Sequence, residues 1–214
     1  MGLTVHGSAY STCSQRVFTA LAEKGVEAEL HSLNFATAEH KLPAHIKLQP
    51  FGKVPVLEDD GYFVYESRAI AKYIAKKYAG KGTKLIPDDS DLKAYGLFEQ
   101  ACSIEQSYFD GPASGICFEK VFKPMKGMGP TDEEMVKKHV ANLDAAFAVY
   151  DGILAKQAYL AGDELTLADL FHLPYGKMVK GQGFADIFAK YPKVNKWFDA
   201  LEARESWQKV TGGK

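Results

Sequence analysis

Apolar positions along the first eighty residues change period several times, and each change marks an element. Leu3 to Val5 is a short apolar-rich run that reaches Gly7, and after Ser11 the positions Val17, Ala20 and Leu21 recur at helical spacing until Gly25. That pattern predicts strand, turn and helix, with glycine as the stop. Val26 to Leu33 alternates, so residues 1–33 propose a βαβ unit with parallel strands and a right-handed crossover. Val54–Leu57, Asp59-Asp60-Gly61 and Tyr62–Tyr65 predict two short strands about a turn, because an Asp-Gly pair accepts the backbone of a tight hairpin. Ser67 to Tyr78 predicts a helix with Ile70, Ala71, Ile74 and Tyr78 as its apolar stripe and Gly80 as its stop. The predicted order is β-α-β-(α)-β-β-α.

The segment Lys81–Ser90 (KGTKLIPDDS) is polar and carries Gly82 and Pro87, and beyond it strand patterns nearly vanish. Helical spacing recurs around 90–110, 131–155, 166–180 and 192–206. The expected organisation is therefore an α/β domain over 1–81, a linker over 82–89 and an all-helical domain over 90–214. Charge divides the same way. Residues 1–86 hold 11 basic and 8 acidic side chains, net +3, and the remainder 15 and 19, net −4. A small positive excess in the first half suits an anionic small ligand.

Over all 214 residues, 26 Lys and Arg against 27 Asp and Glu leave a formal charge of −1, with no excess to drive nucleic-acid binding by counterion release. The longest uninterrupted apolar run, Ala145–Tyr150, is far short of the roughly 20 residues of a membrane-spanning helix. The amino terminus lacks the basic and apolar regions of a secretory signal. Cys13, Cys102 and Cys117 match neither a disulfide framework nor a zinc pattern, and no Asn-X-Ser/Thr acceptor occurs. A reducing, cytoplasmic setting is expected.

Candidate chemistry gathers at helix starts. Ser11-Thr12-Cys13-Ser14-Gln15-Arg16 lies at a strand-to-helix junction, where a hydroxyl caps exposed backbone donors or, pointed at a bound anion, donates to it. Cys13 at such a terminus is either a low-pKa nucleophile or a helix residue packed inside, and no second cysteine follows at redox spacing. Glu66-Ser67 opens the next clear helix and allows the same two readings. Both helix starts would face the carboxyl ends of strands in one small sheet, where anionic ligands bind. Between them lies Gln49-Pro50-Phe51-Gly52-Lys53-Val54-Pro55-Val56. Pro55 is an edge or turn device, or else a cis proline that leaves the Val54 backbone open to a peptide-like ligand. Glu39-His40-Lys41 is a solvated face or, with Lys53, a carboxylate clamp.

Taken together and in order, STCSQRV from Ser11, EHK at 39–41, LQPFGKVPVLED from Leu48 and ESRAIAKYIA from Glu66 closely resemble the glutathione transferases, specifically the serine-using phi class. The resemblance is dense over roughly residues 1–80 and looser beyond, where LAGDELTLAD (160–169) matches best and gives Thr166 and Asp169 the spacing of a capping box. It implies a thioredoxin-like amino-terminal domain that binds glutathione, no tightly bound cofactor, no metal, and a homodimer. Residue by residue it implies Ser11 as the catalytic hydroxyl donating to the glutathione sulfur. It implies His40, Lys41 and Lys53 at the glycine carboxylate, the Val54 backbone at the cysteinyl residue, and Glu66 and Ser67 at the γ-glutamyl end. Arg16 either adds positive potential near the thiolate or serves a structural ion pair. The helical half would supply the electrophile pocket, with Tyr10, Phe35, Phe118 and Phe122 as candidates that equally suit core packing.

The implied function is conjugation of glutathione to hydrophobic electrophiles, with reduction of organic hydroperoxides as a companion activity. Two alternatives use the same fold: a non-catalytic binding protein, either a hydrophobic-ligand carrier, a role compatible with activity, or a scaffold, which retention of the whole constellation argues against, and a thiol-disulfide oxidoreductase acting through Cys13.

Overall fold

The computed structural model describes residues 2–212. Its first strand, β1 (Leu3–Gly7), occupies an inner position of a four-stranded sheet and buries every second residue, Leu3, Val5 and Gly7. The chain leaves it for α1 (Thr12–Glu23), turns at Gly25 with φ +61°, and returns as β2 (Ala28–Ser32), parallel to β1 with Leu3 opposite Ala28. A 3₁₀ turn at Glu39–Lys41 and the short helix α2 (Pro43–Ile46) follow. Next come β3 (Val56–Asp59), antiparallel to β1, and β4 (Tyr62–Tyr65), antiparallel to β3, giving the order β2-β1-β3-β4. The two residues that join them, Asp60 and Gly61, have φ +49° and +83°, as the predicted tight hairpin requires.

The last element of this half, α3 (Ser67–Lys77), ends earlier than the sequence suggested: Tyr78 is its cap, its N–H donating to the Ile74 carbonyl (3.0 Å), and Gly80 lies beyond the stop. Val17 and Leu21 of α1 pack with Ile70 and Ile74 of α3 against Leu3, Val5 and Leu57 of the sheet. Burying each such side chain contributes about 1.5–3 kcal/mol. At the hairpin, Tyr73 Oη donates to Asp59 Oδ2 (2.5 Å) and the Lys77 ammonium pairs with the same carboxylate, which ties α3 to the end of β3.

The helical half opens with α4 (Leu92–Ile104), capped by Asp91, whose side chain accepts from Ala94 N (3.0 Å). The helix does not stop where the predicted one did. A π-helical stretch at Glu105–Asp110 leads into α5 (Gly111–Cys117), and a second at Phe118–Phe122 into α6 (Lys123–Met125). Pro112 falls in the first turn of α5, directly after the π-helical stretch. At Gly115 a Cβ would come within 2.4 Å of the His139 ring, so glycine permits close packing of α5 on α7 (Glu133–Leu154).

The remaining helices are α8 (Leu167–Leu170), α9 (Leu173–Val179), α10 (Ala185–Ala189), α11 (Pro192–Glu202) and α12 (Glu205–Thr211). Thr166 and Asp169 form the expected capping box at the start of α8. The Asp169 carboxylate, fully buried, accepts from Leu160 N, Thr166 N, Thr166 Oγ1 and Trp197 Nε1 at 3.0–3.1 Å. Burial pushes its pKa up while these donors oppose the shift. Around it Phe109, Phe147, Tyr150, His172, Trp197, Phe188 and Phe198 form a chain of stacked, tilted and edge-on ring contacts.

The chain divides into two compact units between Ile86 and Pro87, and the segment from Glu205 onward groups with the first unit. From the sequence, all of 90–214 is expected in the helical half. The regrouping has a local cause. Glu23, at the end of α1, accepts Ser206 Oγ (2.5 Å) through one carboxylate oxygen and Thr83 Oγ1 (2.6 Å) through the other, and Trp207 of α12 is buried.

Candidate active site

Strand register gathers the candidates of the first half. His6 lies opposite Val56, and Val56 opposite Tyr65, so the carboxyl end of β1, the start of β3 and the carboxyl end of β4 share one edge of the sheet. Ser11 follows the first, Val54-Pro55 precedes the second and Glu66-Ser67 follows the third. With neighbouring strands about 4.8 Å apart, three stretches distant in sequence meet within two strand spacings.

Ser11 is the N-cap of α1. Its Oγ accepts from Ser14 N (3.3 Å) and its own carbonyl accepts from Gln15 N (2.9 Å). The bland capping reading is therefore correct, and it does not exclude the chemical one: a hydroxyl keeps one O–H donor besides the lone pair used as a cap. Gly7 allows close approach behind it, since a Cβ there would lie 2.6 Å from Ser14 Oγ and 3.6 Å from Pro55 Cβ. Cys13, in the first turn, is half-buried and accepts from the guanidinium of Arg16 (3.6 Å). Cys13 is thus a helix residue that is not wholly buried, and the 2% exposed Arg16 is an interior group that reaches it.

The carboxylate-clamp candidates are folded onto one another. Gly52, at φ +59°, presses so close that a Cβ would lie 2.9 Å from Lys41 Cδ and 3.0 Å from the His40 carbonyl. Lys41 Nζ donates to the Phe51 carbonyl (3.2 Å), and the Lys53 side chain is exposed beside this turn. The Val54-Pro55 peptide is cis.

Glu66 has φ +72° and ψ +111°, a conformation that costs a side-chain-bearing residue about 1–3 kcal/mol. Its carbonyl accepts from Ile70 N (2.8 Å), and Ser67, 5% exposed, is the first residue of α3. No acidic side chain occupies the first turn of α1 or of α3, although the N-cap of α3 is Glu66 itself, so the α1 end carries no local negative charge.

The amino-terminal domain model of glutathione S-transferase matches residues 1–76, and the carboxy-terminal domain model matches 115–205. The chain is 49% identical over 211 residues to glutathione S-transferase hmp2 of Hypomyces subiculosus, covering 99% of this chain and 98% of that one. It is 38% identical over 207 residues to glutathione S-transferase F4 of Arabidopsis thaliana, covering 97% and 84%. Among solved structures, glutathione transferase F7 from Populus trichocarpa superposes with a TM-score of 0.94 at 33% identity, covering 99% and 98%. The chain belongs to the glutathione S-transferase family, in its phi class. Glutathione S-transferase I from mais, solved with an atrazine glutathione conjugate, superposes with a TM-score of 0.91 at 34% identity over 99% of this chain and 97% of that one.

Within this family fold the aromatic candidates separate. Tyr10 is 90% exposed, and Phe35 is exposed with its ring edge-on to His40 at 5.0 Å. Phe118 and Phe122, four residues apart on the helical rod, are partly exposed and outside the buried core of the second unit. Among the described residues no cluster of three metal-ligating side chains occurs, and no helix is long and apolar enough to cross a membrane. The remaining cysteines are buried, and burial pushes the Cys117 thiol up to about 12. Sequence reasoning missed His45 and Gln49, which lie under the Lys53 turn. Nothing in local spacing marks them, although His45 is the one polar residue of the four-residue helix α2.

Proposed function

We propose that the chain transfers glutathione to hydrophobic electrophiles, binding it along the sheet edge where Ser11, Val54 and Glu66-Ser67 converge. That register-imposed convergence is the observation that carries the reading. Glutathione brings its own nucleophile, so the protein needs only to hold thiolate. Lowering a thiol pKa of about 8.5 by two units takes about 2.7 kcal/mol. A hydrogen bond from the Ser11 hydroxyl to a charged sulfur, about 1.5–3 kcal/mol, and the α1 amino terminus, about 0.3–1 kcal/mol, supply that amount.

In this reading Ser11 keeps its proton and acts as an electrostatic donor, not as a nucleophile. The glycine carboxylate meets His40, Lys41 and Lys53, and the cysteinyl backbone pairs with Val54. Glu66 takes the γ-glutamyl ammonium, and the start of α3 at Ser67 takes its carboxylate. The thiolate then attacks an electrophilic carbon, releasing the thioether and leaving group. With a hydroperoxide it attacks the distal oxygen, giving glutathione sulfenate and alcohol. Tyr10, Phe35, Phe118 and Phe122 are the proposed contacts for the electrophile. The protein works as a homodimer in the cytoplasm, in keeping with its reduced cysteines and with exposed apolar side chains such as Phe51.

Calorimetric titration with reduced glutathione, paired with turnover of an aryl halide and of cumene hydroperoxide, tests this. Glutathione binding with turnover of the halide is expected, and the hydroperoxide rate measures the companion activity. Absence of glutathione binding overturns the reading in favour of a carrier or scaffold. Light scattering of a stable monomer at micromolar concentration would remove the dimer.

A further inference from the structure

Lys53 is held by both of its backbone polar groups although its side chain lies in solvent. Its N–H donates to Gln49 Oε1 (3.2 Å), and its carbonyl accepts from His45 Nε2 (2.7 Å). A carbonyl can only accept, so the His45 proton resides on Nε2. Both holding side chains are interior, His45 at 4% and Gln49 at 1% exposure. They are themselves linked, since the His45 carbonyl accepts from Leu48 N and Gln49 N (2.9 Å each) and the Gln49 carbonyl from Gly52 N (2.9 Å). Two buried polar side chains thus spend their hydrogen bonds on the main chain of one surface residue, the one directly before Val54-Pro55.

A core-packing role does not require that arrangement, because Lys53 contributes nothing to the core. What the two bonds determine is the orientation of the Lys53 peptide planes. Those planes set where the Lys53 side chain departs and which way the Val54 main chain faces. The approach of Gly52 to Lys41 and His40 carries the same constraint to the other side of the turn.

We propose that His45 and Gln49 are positioning residues for glutathione, locking Lys53 and Val54 in the orientation that receives the glycine carboxylate and the cysteinyl backbone. This rests on the glutathione reading above. Neither residue touches the ligand, and neither lies on the path to the sulfur, so the two ends of the site are expected to separate experimentally.

The test compares His45→Leu, which removes the donor, Gln49→Met, which removes the acceptor, and His45→Gln, which keeps an N–H near the position of Nε2. Reduced glutathione is titrated calorimetrically against each full-length variant. Bound thiolate is followed by ultraviolet difference absorbance, and folded fraction by circular dichroism. The expected result is a glutathione affinity about tenfold weaker in His45→Leu and Gln49→Met, the size of one lost hydrogen bond. The KM for glutathione should rise by the same factor, while kcat at saturating glutathione and the thiol pKa of the bound ligand stay at the wild-type values. His45→Gln should recover most of the affinity, and the His45→Leu effect should shrink in a Lys53→Met background because the two act through one segment.

Wild-type affinity in the folded His45→Leu and Gln49→Met proteins overturns the proposal. So does loss of kcat and thiolate in step with affinity, the signature of general disruption. Should either variant fold poorly, affinity is measured on its folded fraction, and an unchanged value there is equally decisive against. A wild-type protein that does not bind glutathione fails at an earlier step and removes the parent reading together with this one.

Discussion

Ser11 caps a helix and, in the proposed reading, donates to a thiolate through the same oxygen, and substitutions can pull the two duties apart. Its lone pair caps α1 by accepting from Ser14 N at 3.3 Å, and its O–H is the group assigned to the glutathione sulfur. Ser11→Ala removes both. Loss of the cap is expected to cost about 1 kcal/mol, which in a chain of 214 residues lowers Tm by about 2–4 °C. Loss of the donor should raise the thiol pKa of bound glutathione by about 1–2 units, from a charge-assisted bond of about 1.5–3 kcal/mol at 1.36 kcal/mol per unit. Ser11→Asp keeps a capping oxygen but offers no donor and places a negative charge beside the sulfur, so its Tm should stay near wild type while its thiol pKa rises most. Ser11→Thr retains both groups and should change neither by much. The assay is ultraviolet difference titration of saturating glutathione from pH 5 to 9, with thermal unfolding of the same proteins. If Ser11→Ala leaves the bound thiol pKa in place, the hydroxyl is a cap alone and thiolate stabilisation must come from the helix terminus. If Tm and pKa fall and rise together across all three variants, the two duties are not separable and the argument fails.

Glu66→Gly should relieve the positive φ at the start of α3 and raise stability by about 1 kcal/mol in urea unfolding, while weakening glutathione binding through loss of the carboxylate. A gain in both would show that Glu66 has no part in the site. Hydrogen bonds from Lys77 and then Tyr73 hold the Asp59 carboxyl below its ordinary range. A depressed carboxyl contributes stability that is fully present above the unfolded-state pKa and is lost as pH falls through the folded value. Unfolding free energy should therefore drop below about pH 4 with a slope that Asp59→Asn reduces, and an unchanged slope would show that the pair is indifferent to pH. Phe118→Ala and Phe122→Ala should raise KM for an apolar aryl halide several-fold with KM for glutathione unaltered. Equal effects on both substrates would mark these rings as structural.

Much of the first half was legible before any coordinates. Strand and helix periods, the Asp60-Gly61 hairpin and the capping box at Thr166 and Asp169 are local devices, in which residues a few positions apart satisfy one another, so their chemistry is written in their spacing. The family resemblance rested on the same stretches. The breaks came where a distant partner changed the meaning of a residue. The helical spacing around 90–110 gave no sign that the helix continues to Gly115, the space against which His139 packs, and Gly80 looked like a stop that α3 never reaches. Glu23 drew the chain from Glu205 onward back to α1 through Ser206, a bond across 183 positions that no window along the sequence can contain.

The site divides along the same line. Its proposed membership, Ser11, His40, Lys41, Lys53, Val54, Glu66 and Ser67, was carried by the resemblance of ordered motifs, each lying at a helix start or a turn that its neighbours specify. Its assembly belongs to the tertiary structure. Only the pairing of His6 with Val56 and of Val56 with Tyr65 brings three separate stretches to one sheet edge, and only folding places His45 and Gln49 beneath Lys53. Hydrogen bonds between strands and the exclusion of water from the core act on proximity in space, which sequence spacing does not encode.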